Sequence, residues 1–250
     1  VCVPIDVREV YLTGGAVGID DLPLPVVNFL NVIGVPWPYI DEDTLLHIAD
    51  LTRHFGSAVQ STHQEATRAV AGLAEAHESE STQALIAGWA RLTADHVDAL
   101  VSGCQLLAGA LEMAAGYIMA RKVEAIAILL GLVEAFLADQ AAAVATAGLA
   151  EAALPVIVAG AQCVIRTLSV DLEQYLVAEV VEAAARPLLA RLDAATASLD
   201  WPGSSGSVAI THVRVDPPAA AAGIVALRAQ AAALRAHGEA LRAGLHGLAF

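Results

Sequence analysis

The stretch LLHIADLTRHFGSAVQSTHQEATRAVAGLAEAHESES, Leu45 to Ser81, decides the fold. Leu45, Ile48, Phe55, Val59, Ala66, Val70 and Leu73 recur at the three-and-four spacing that gathers residues on one side of an α-helix. Arg53, Gln60, Gln64 and Arg68 fall on the other side. The pattern predicts one long amphipathic helix, with Asp41 or Asp43 capping its start and the acidic cluster there suiting the positive end of the helix dipole. At HESES, His77 to Ser81, the periodicity stops, and Ser79 or Ser81 can accept from the free N–H groups that open a second helix. The polar run therefore reads as a bend between two helices, with Trp89 as the packing residue that locks it.

The same reading extends outward. Leu85, Trp89, Leu92, Leu100, Leu107, Leu111, Ile118, Ile128, Leu132 and Phe136 form one drifting stripe, so a helix is expected from Thr82 to Ala147. Unbroken it would run about 100 Å, and a kink is expected at GYIMARK, Gly116 to Lys122. Gly148 reads as a stop, Pro155 as the first turn of a third long helix, and Pro187 as a kink or division within it. DWPGSSGS, Asp200 to Ser207, reads as a linker, and VAITHVRVD, Val208 to Asp216, as an extended arm. Asp216 then caps a helix with an apolar face of Ile224, Leu227, Ala231, Leu234, Leu241, Leu245 and Leu248. Before all of this, VCVPIDVREVYL suggests a short extended segment, and LPLPVVNFLNVIG a short helix opened by Pro25 and closed by Gly34. Pro36 and Pro38 then enforce an extended path. The fold class is all-α: an elongated bundle of long antiparallel helices, with short extended segments at the N-terminus and after the linker. The organisation expected is 1–40 irregular, 41–201 a helical bundle, 202–216 a linker and arm, and 217–250 a terminal amphipathic helix.

Composition narrows the chemistry. The chain is 57% hydrophobic but 4% aromatic, which favours closely approaching, alanine-rich helices. A net charge of −14 with one lysine, Lys122, argues against nucleic acid, which demands clustered basic residues. Cys2, Cys104 and Cys163 have no metal spacing and no framework pairing, so Cys104 and Cys163 are read as buried thiols. His47 and His54, two turns apart, stand about 10 Å from each other, too far to share one zinc. His77 with Glu78 and Glu80 lacks a second histidine at helical distance. PGSSGS is no nucleophile elbow, and TGGAVG lacks dinucleotide or phosphate-loop spacing. No catalytic, cofactor or metal site is expected. Ala141 to Ile165 is long and apolar, but Gly148, Glu151 and Pro155 cut it. A bend between bundle helices is preferred there to membrane insertion, which stands as a rival reading.

GVPWPYIDEDTLLHIADLTRHF resembles the start of the WXG-like amino-terminal domains of actinobacterial polymorphic toxins, which are related to the helical-hairpin substrates of type VII secretion. GWARL and the alanine-rich run from Lys122 to Leu168 also resemble that family's later helices. In the family a Trp-Xaa-Gly turn joins the hairpin helices about a dozen residues before a second tryptophan. Here Trp89 suits the second tryptophan, and the turn position reads His77-Glu78-Ser79, without the Trp or the Gly.

The resemblance implies a non-catalytic interaction domain, the export or docking region of a larger toxin-like protein, secreted or at the cell surface by a leaderless route. The chain starts with Val1 and shows no charged-then-apolar leader, so no signal peptide is read. Without the resemblance, a cytoplasmic location is the default. Hairpin packing and turn are assigned to Trp37, Leu45, Phe55, Val59, His77, Ser79, Trp89 and Leu92. Partners are expected to be proteins docking on helix faces, a second copy of the chain among them. The rivals are a subunit of a larger assembly and a pore-forming module. The terminal helix either docks on the main bundle or finds its partner beyond Phe250, and its pattern looks like the first arm of a second hairpin, in which case more chain is expected there.

Overall fold

The computed structural model describes residues 22–38, 40–77, 80–145, 153–197 and 216–248. It is an all-α bundle, and no strand occurs among those residues. The helices are α1 (Leu24–Ile33), α2 (Glu42–Ala76), α3 (Glu80–Leu92), α4 (Asp98–Ala145), α5 (Leu154–Tyr175), α6 (Arg186–Ala197) and α7 (Pro217–His246). A π-helical turn, Thr93–Val97, joins α3 to α4, and a longer π-helical segment, Leu176–Ala185, joins α5 to α6. The expected extended segments and the linker fall outside the described residues, as do Gly148 and Ser79.

The chain forms two compact units interleaved in sequence, one of residues 1–43 and 115–174, the other of 44–114 and 175–250. In the first, α1 begins with Pro25 in its first turn and ends at Gly34, whose φ of 71° is the left-handed conformation that glycine adopts without strain. The Val35 N–H returns to the Leu30 carbonyl at 3.0 Å, completing that stop. Phe29 of α1 packs on Phe136 of α4, ring centroids 5.5 Å apart. Asp41 caps α2, its Oδ1 accepting from the Asp43 N–H at 2.9 Å.

In the same unit, α4 and α5 run antiparallel. Tyr117 and Arg121 both donate to Asp171 Oδ2, at 3.0 and 2.7 Å, while Leu132 lies beside Gly160. Ile118, Leu129 and Val133 of α4 and Ile157, Ala161, Ile165, Leu168 and Leu172 of α5 are buried. Their removal from water, at about 25 cal/mol per Å², drives the pairing.

The second unit is built on α2. As α2 advances through Ala49, Gly56 and His63, its neighbours retreat through Ala108, Cys104 and Thr93, the mark of an antiparallel hairpin. Ala49, Ala108 and Leu111 form a buried cluster, with Leu45, Ile48, Leu107 and Val180 packed against it. Leu188 of α6 sits over Gly103. α7 runs antiparallel to α2, with Gly223 against Leu73, His237 bonded to Thr62 at 3.1 Å and Gly244 against Leu51. Asp216 caps α7, its Oδ1 accepting from the Ala219 N–H at 3.2 Å.

Three sequence expectations change. Gly116 lies inside regular α4 and makes no break there; the irregularity comes earlier, at Thr93–Val97. Pro187 does not divide the third helix by itself, because the π-helical segment ends just before it and takes up its steric demand. Cys163 is exposed, while Cys104 is buried as expected.

Candidate functional site

The hairpin end of the second unit carries the most organised polar geometry. His63 and Thr67 are four residues apart on α2, and Trp89 near the end of α3 is four residues before Thr93, which opens the π-helical turn. Each threonine therefore lies one turn beyond its aromatic neighbour on the same helix face. Trp89 lies flat on His63, with ring centroids 5.0 Å apart and planes 10° from parallel.

Hydrogen bonds close this cluster into a ring. The Trp89 indole N–H donates to Thr67 Oγ1 at 2.9 Å, and the Thr67 hydroxyl donates to the His63 carbonyl at 2.9 Å. The Thr93 hydroxyl donates to the Trp89 carbonyl at 2.9 Å, which leaves its oxygen to accept from His63 Nε2 at 2.8 Å. That donor count assigns the neutral His63 proton to Nε2. Burial holds the His63 pKa below its usual value, against the opposing charge of Asp98. Each helix thus binds the other through one ring N–H and one threonine oxygen.

Nearer the bend, His77 follows the last residue of α2 and its Nδ1 reaches the Leu73 carbonyl at 3.0 Å. Its Nε2 is buried without a hydrogen-bond partner among the described residues. Of the residues assigned to hairpin packing, Leu45 joins the Ala49–Ala108–Leu111 cluster and Val59 is buried. Phe55 and Leu92 are half-buried, and Trp89 belongs to the ring. Trp37 is buried in the first unit.

Sequence reasoning singled out Trp89 and read His63 with His47 and His54 as surface or seam histidines, but it missed the pairing of His63 with Trp89 and the roles of Thr67 and Thr93. The signal was present as HQEAT and WARLT, an aromatic ring and a threonine at i and i+4 on each arm.

It also missed the centre of the first unit. Lys122 and Glu42 are completely buried, with Nζ 2.5 Å from Glu42 Oε2 and 2.5 Å from the Ile40 carbonyl. The chain's single lysine thereby ties the segment that carries buried Trp37 to α4. A buried charge of this kind is tolerated only when paired and hydrogen-bonded. Among the described residues no group of three or more His, Cys, Asp or Glu is placed to hold a metal ion.

Two antiparallel helical arms tied to each other by their own side chains define an all-α helical-hairpin protein. Residues 21–161 match the family described as WXG100 like domain, more than half of the chain. The chain belongs to that family. No curated protein and no solved structure matched the chain.

Proposed function

We propose that the chain is a non-catalytic helical docking domain, the export or docking region of a larger secreted, toxin-like protein. The observation that carries this reading is the braced hairpin of a WXG100-like chain. Hairpin arms held to each other by their own side chains present helix faces that lose little further freedom when a partner binds, so less ordering cost opposes association. Residues 41–201 would form the docking bundle, with 217–250 the start of a second hairpin. Partners would be proteins covering helix faces, and export would follow a leaderless route.

The test is expression of the full chain in a host with and without a working type VII machinery, reading the culture supernatant. Export only where the machinery works is the expected result. Equal amounts outside in both hosts, or none in either, would overturn the proposal. A chain with His77→Trp and Ser79→Gly restores the family's turn residues, and a change in export would assign the turn to docking.

A pore-forming module is the second reading. It draws on α4 and on Leu154–Ala194, both long and apolar enough to cross a membrane by length and composition. Lys122, inside α4 and paired with Glu42 of α2, weighs against it, because a charge at mid-bilayer is costly. Dye release from vesicles at micromolar protein would favour this reading over docking.

A further inference from the structure

α7 rests on α2 through Gly223, His237 and Gly244, which meet Leu73, Thr62 and Leu51, and none of its residues is buried. Its apolar row lies elsewhere on the helix. Ile224, Leu227, Ala231, Leu234, Leu241 and Leu245 fall on the a and d positions of a seven-residue repeat, the spacing of a coiled-coil seam. In that repeat the residues against α2 occupy g. The seam beside them leaves Ile224, Leu234 and Leu245 exposed, at 48%, 40% and 39%.

The other edge of the seam, position e, is arginine in every repeat: Arg228, Arg235 and Arg242. At seven-residue spacing each stands about 10.5 Å beyond the last with about 20° of drift, so they line the seam as a row. All three are exposed, and none belongs to an ion pair among the described residues. Glu239, the one acid of α7, lies on the far side of that row from the seam. In a chain of net charge −14 the row is a local reversal of sign.

An apolar seam with one cationic edge accepts a helix that carries apolar a and d residues and carboxylates on the facing edge. A second α7 does not fit. Antiparallel, it sets arginine against arginine; parallel, it needs the g side, which α2 holds. α7 also lies outside residues 21–161, so the seam is not part of the family's matched hairpin.

We infer that α7 docks an acidic amphipathic helix of a different protein along this seam, with Arg228, Arg235 and Arg242 meeting carboxylates seven residues apart on that partner. This assignment rests on the docking reading for the kind of partner, and needs no export. Binding and export are separate measurements, so either can fail alone.

The probe is a labelled four-heptad peptide with leucine at a and d and glutamate at e and g. Anisotropy with the full chain at low salt is expected to give a Kd of about 10 µM. Arg228→Glu, Arg235→Glu and Arg242→Glu together should weaken binding more than about tenfold, and a peptide with lysine in place of glutamate should prefer that reversed chain. In a Cys2→Ser/Cys163→Ser/Ala231→Cys chain, the peptide should slow maleimide modification at residue 231 about tenfold. No binding at about 100 µM chain, equal affinity of the parent and reversed chains, or unslowed modification at residue 231 would overturn the inference. So would shielding of that residue without peptide, whether by a second copy, by phosphatidylserine vesicles or by the chain's own continuation past Phe250.

Discussion

Trp89 lies on His63 across the hairpin, 5.0 Å between ring centroids, and each ring N–H is taken by the threonine one turn along the other helix. The four groups form a closed ring, so opening it anywhere should loosen the rest. Thr67→Val and Thr93→Val keep side-chain shape and remove one hydroxyl each. Either alone is expected to cost about 1 kcal/mol in urea unfolding, the usual worth of a partly solvated hydrogen bond. Together they should cost clearly less than the sum, because the second change acts on a ring already open. Strict additivity would show four independent bonds.

His63 makes the hairpin sensitive to acid. Its folded pKa is depressed below the usual 6.5, chiefly by burial, with Asp98 pulling the other way. The unfolded chain therefore binds more protons between the two values, and stability rises with pH there. The contribution is complete above about pH 6.5 and is lost as pH falls through the folded value. Comparing unfolding at pH 7.5 and 5.0 should show a smaller acid loss in His63→Gln than in the parent, since other titrating groups are shared. An equal loss in both proteins would remove His63 as the cause.

How far these features were legible in the sequence depends on the range of the interaction. The α2 periodicity, the end of α2 at Ala76 and the caps at Asp41 and Asp216 are local, and local spacing announces them. The ring at Trp89 needs residues 22 apart and Lys122–Glu42 residues 80 apart, and hydropathy patterns carry no such pairing. Lys122 looked like an interruption in an apolar run because nothing nearby announces Glu42. The π-helical turns escaped for the same reason, being set by packing and not by a marker residue. The unit boundary at Ala114–Ala115 falls inside continuous α4, so no change of composition signals it.

Breaking the Lys122–Glu42 pair from one side should be severe. Lys122→Met leaves the Glu42 carboxylate buried without its cation, and such a loss costs about 3–5 kcal/mol. Glu42→Met in the same chain removes the stranded charge, and most of the stability is expected to return. Thermal melts of the two variants against the parent check this. A single variant within 1 kcal/mol of the parent would mean that water reaches the pair.

The thiols should differ in reactivity. Cys104 is buried and its pKa is raised by burial, so little thiolate forms at neutral pH. Cys163 is exposed on α5. In a Cys2→Ser chain at pH 7.5, maleimide is expected to modify one thiol per chain rapidly, mapping to Cys163. Cys104 should react only after urea is added. Rapid modification of both thiols in the native protein would show that α2 and α4 open at Gly56, which lies against Cys104.

The docking of α7 turns on glycine where leucines suggested otherwise. The stripe read from sequence included Ile224, Leu234 and Leu245, yet these remain exposed at 48%, 40% and 39%. The contact side carries Gly223, His237 and Gly244, because only small residues let two helix backbones approach this closely. A Cβ on Gly223 would fall 2.4 Å from Leu73 Cδ2 and 2.5 Å from Cγ, so the leucine must move. Gly223→Ala also gains about 1 kcal/mol of helix propensity, which offsets part of an overpacking cost of about 1–3 kcal/mol. Its net effect is therefore expected to be small. Gly223→Val has no such offset, and should loosen α7 so that trypsin cleaves after Arg228 and Arg235, both exposed on the intact helix, several times faster than in the parent. Leu73→Ala in the same chain opens the space and should return cleavage towards the parental rate. If Leu73→Ala leaves the rapid cleavage unchanged, α7 is held by contacts other than the one at Gly223.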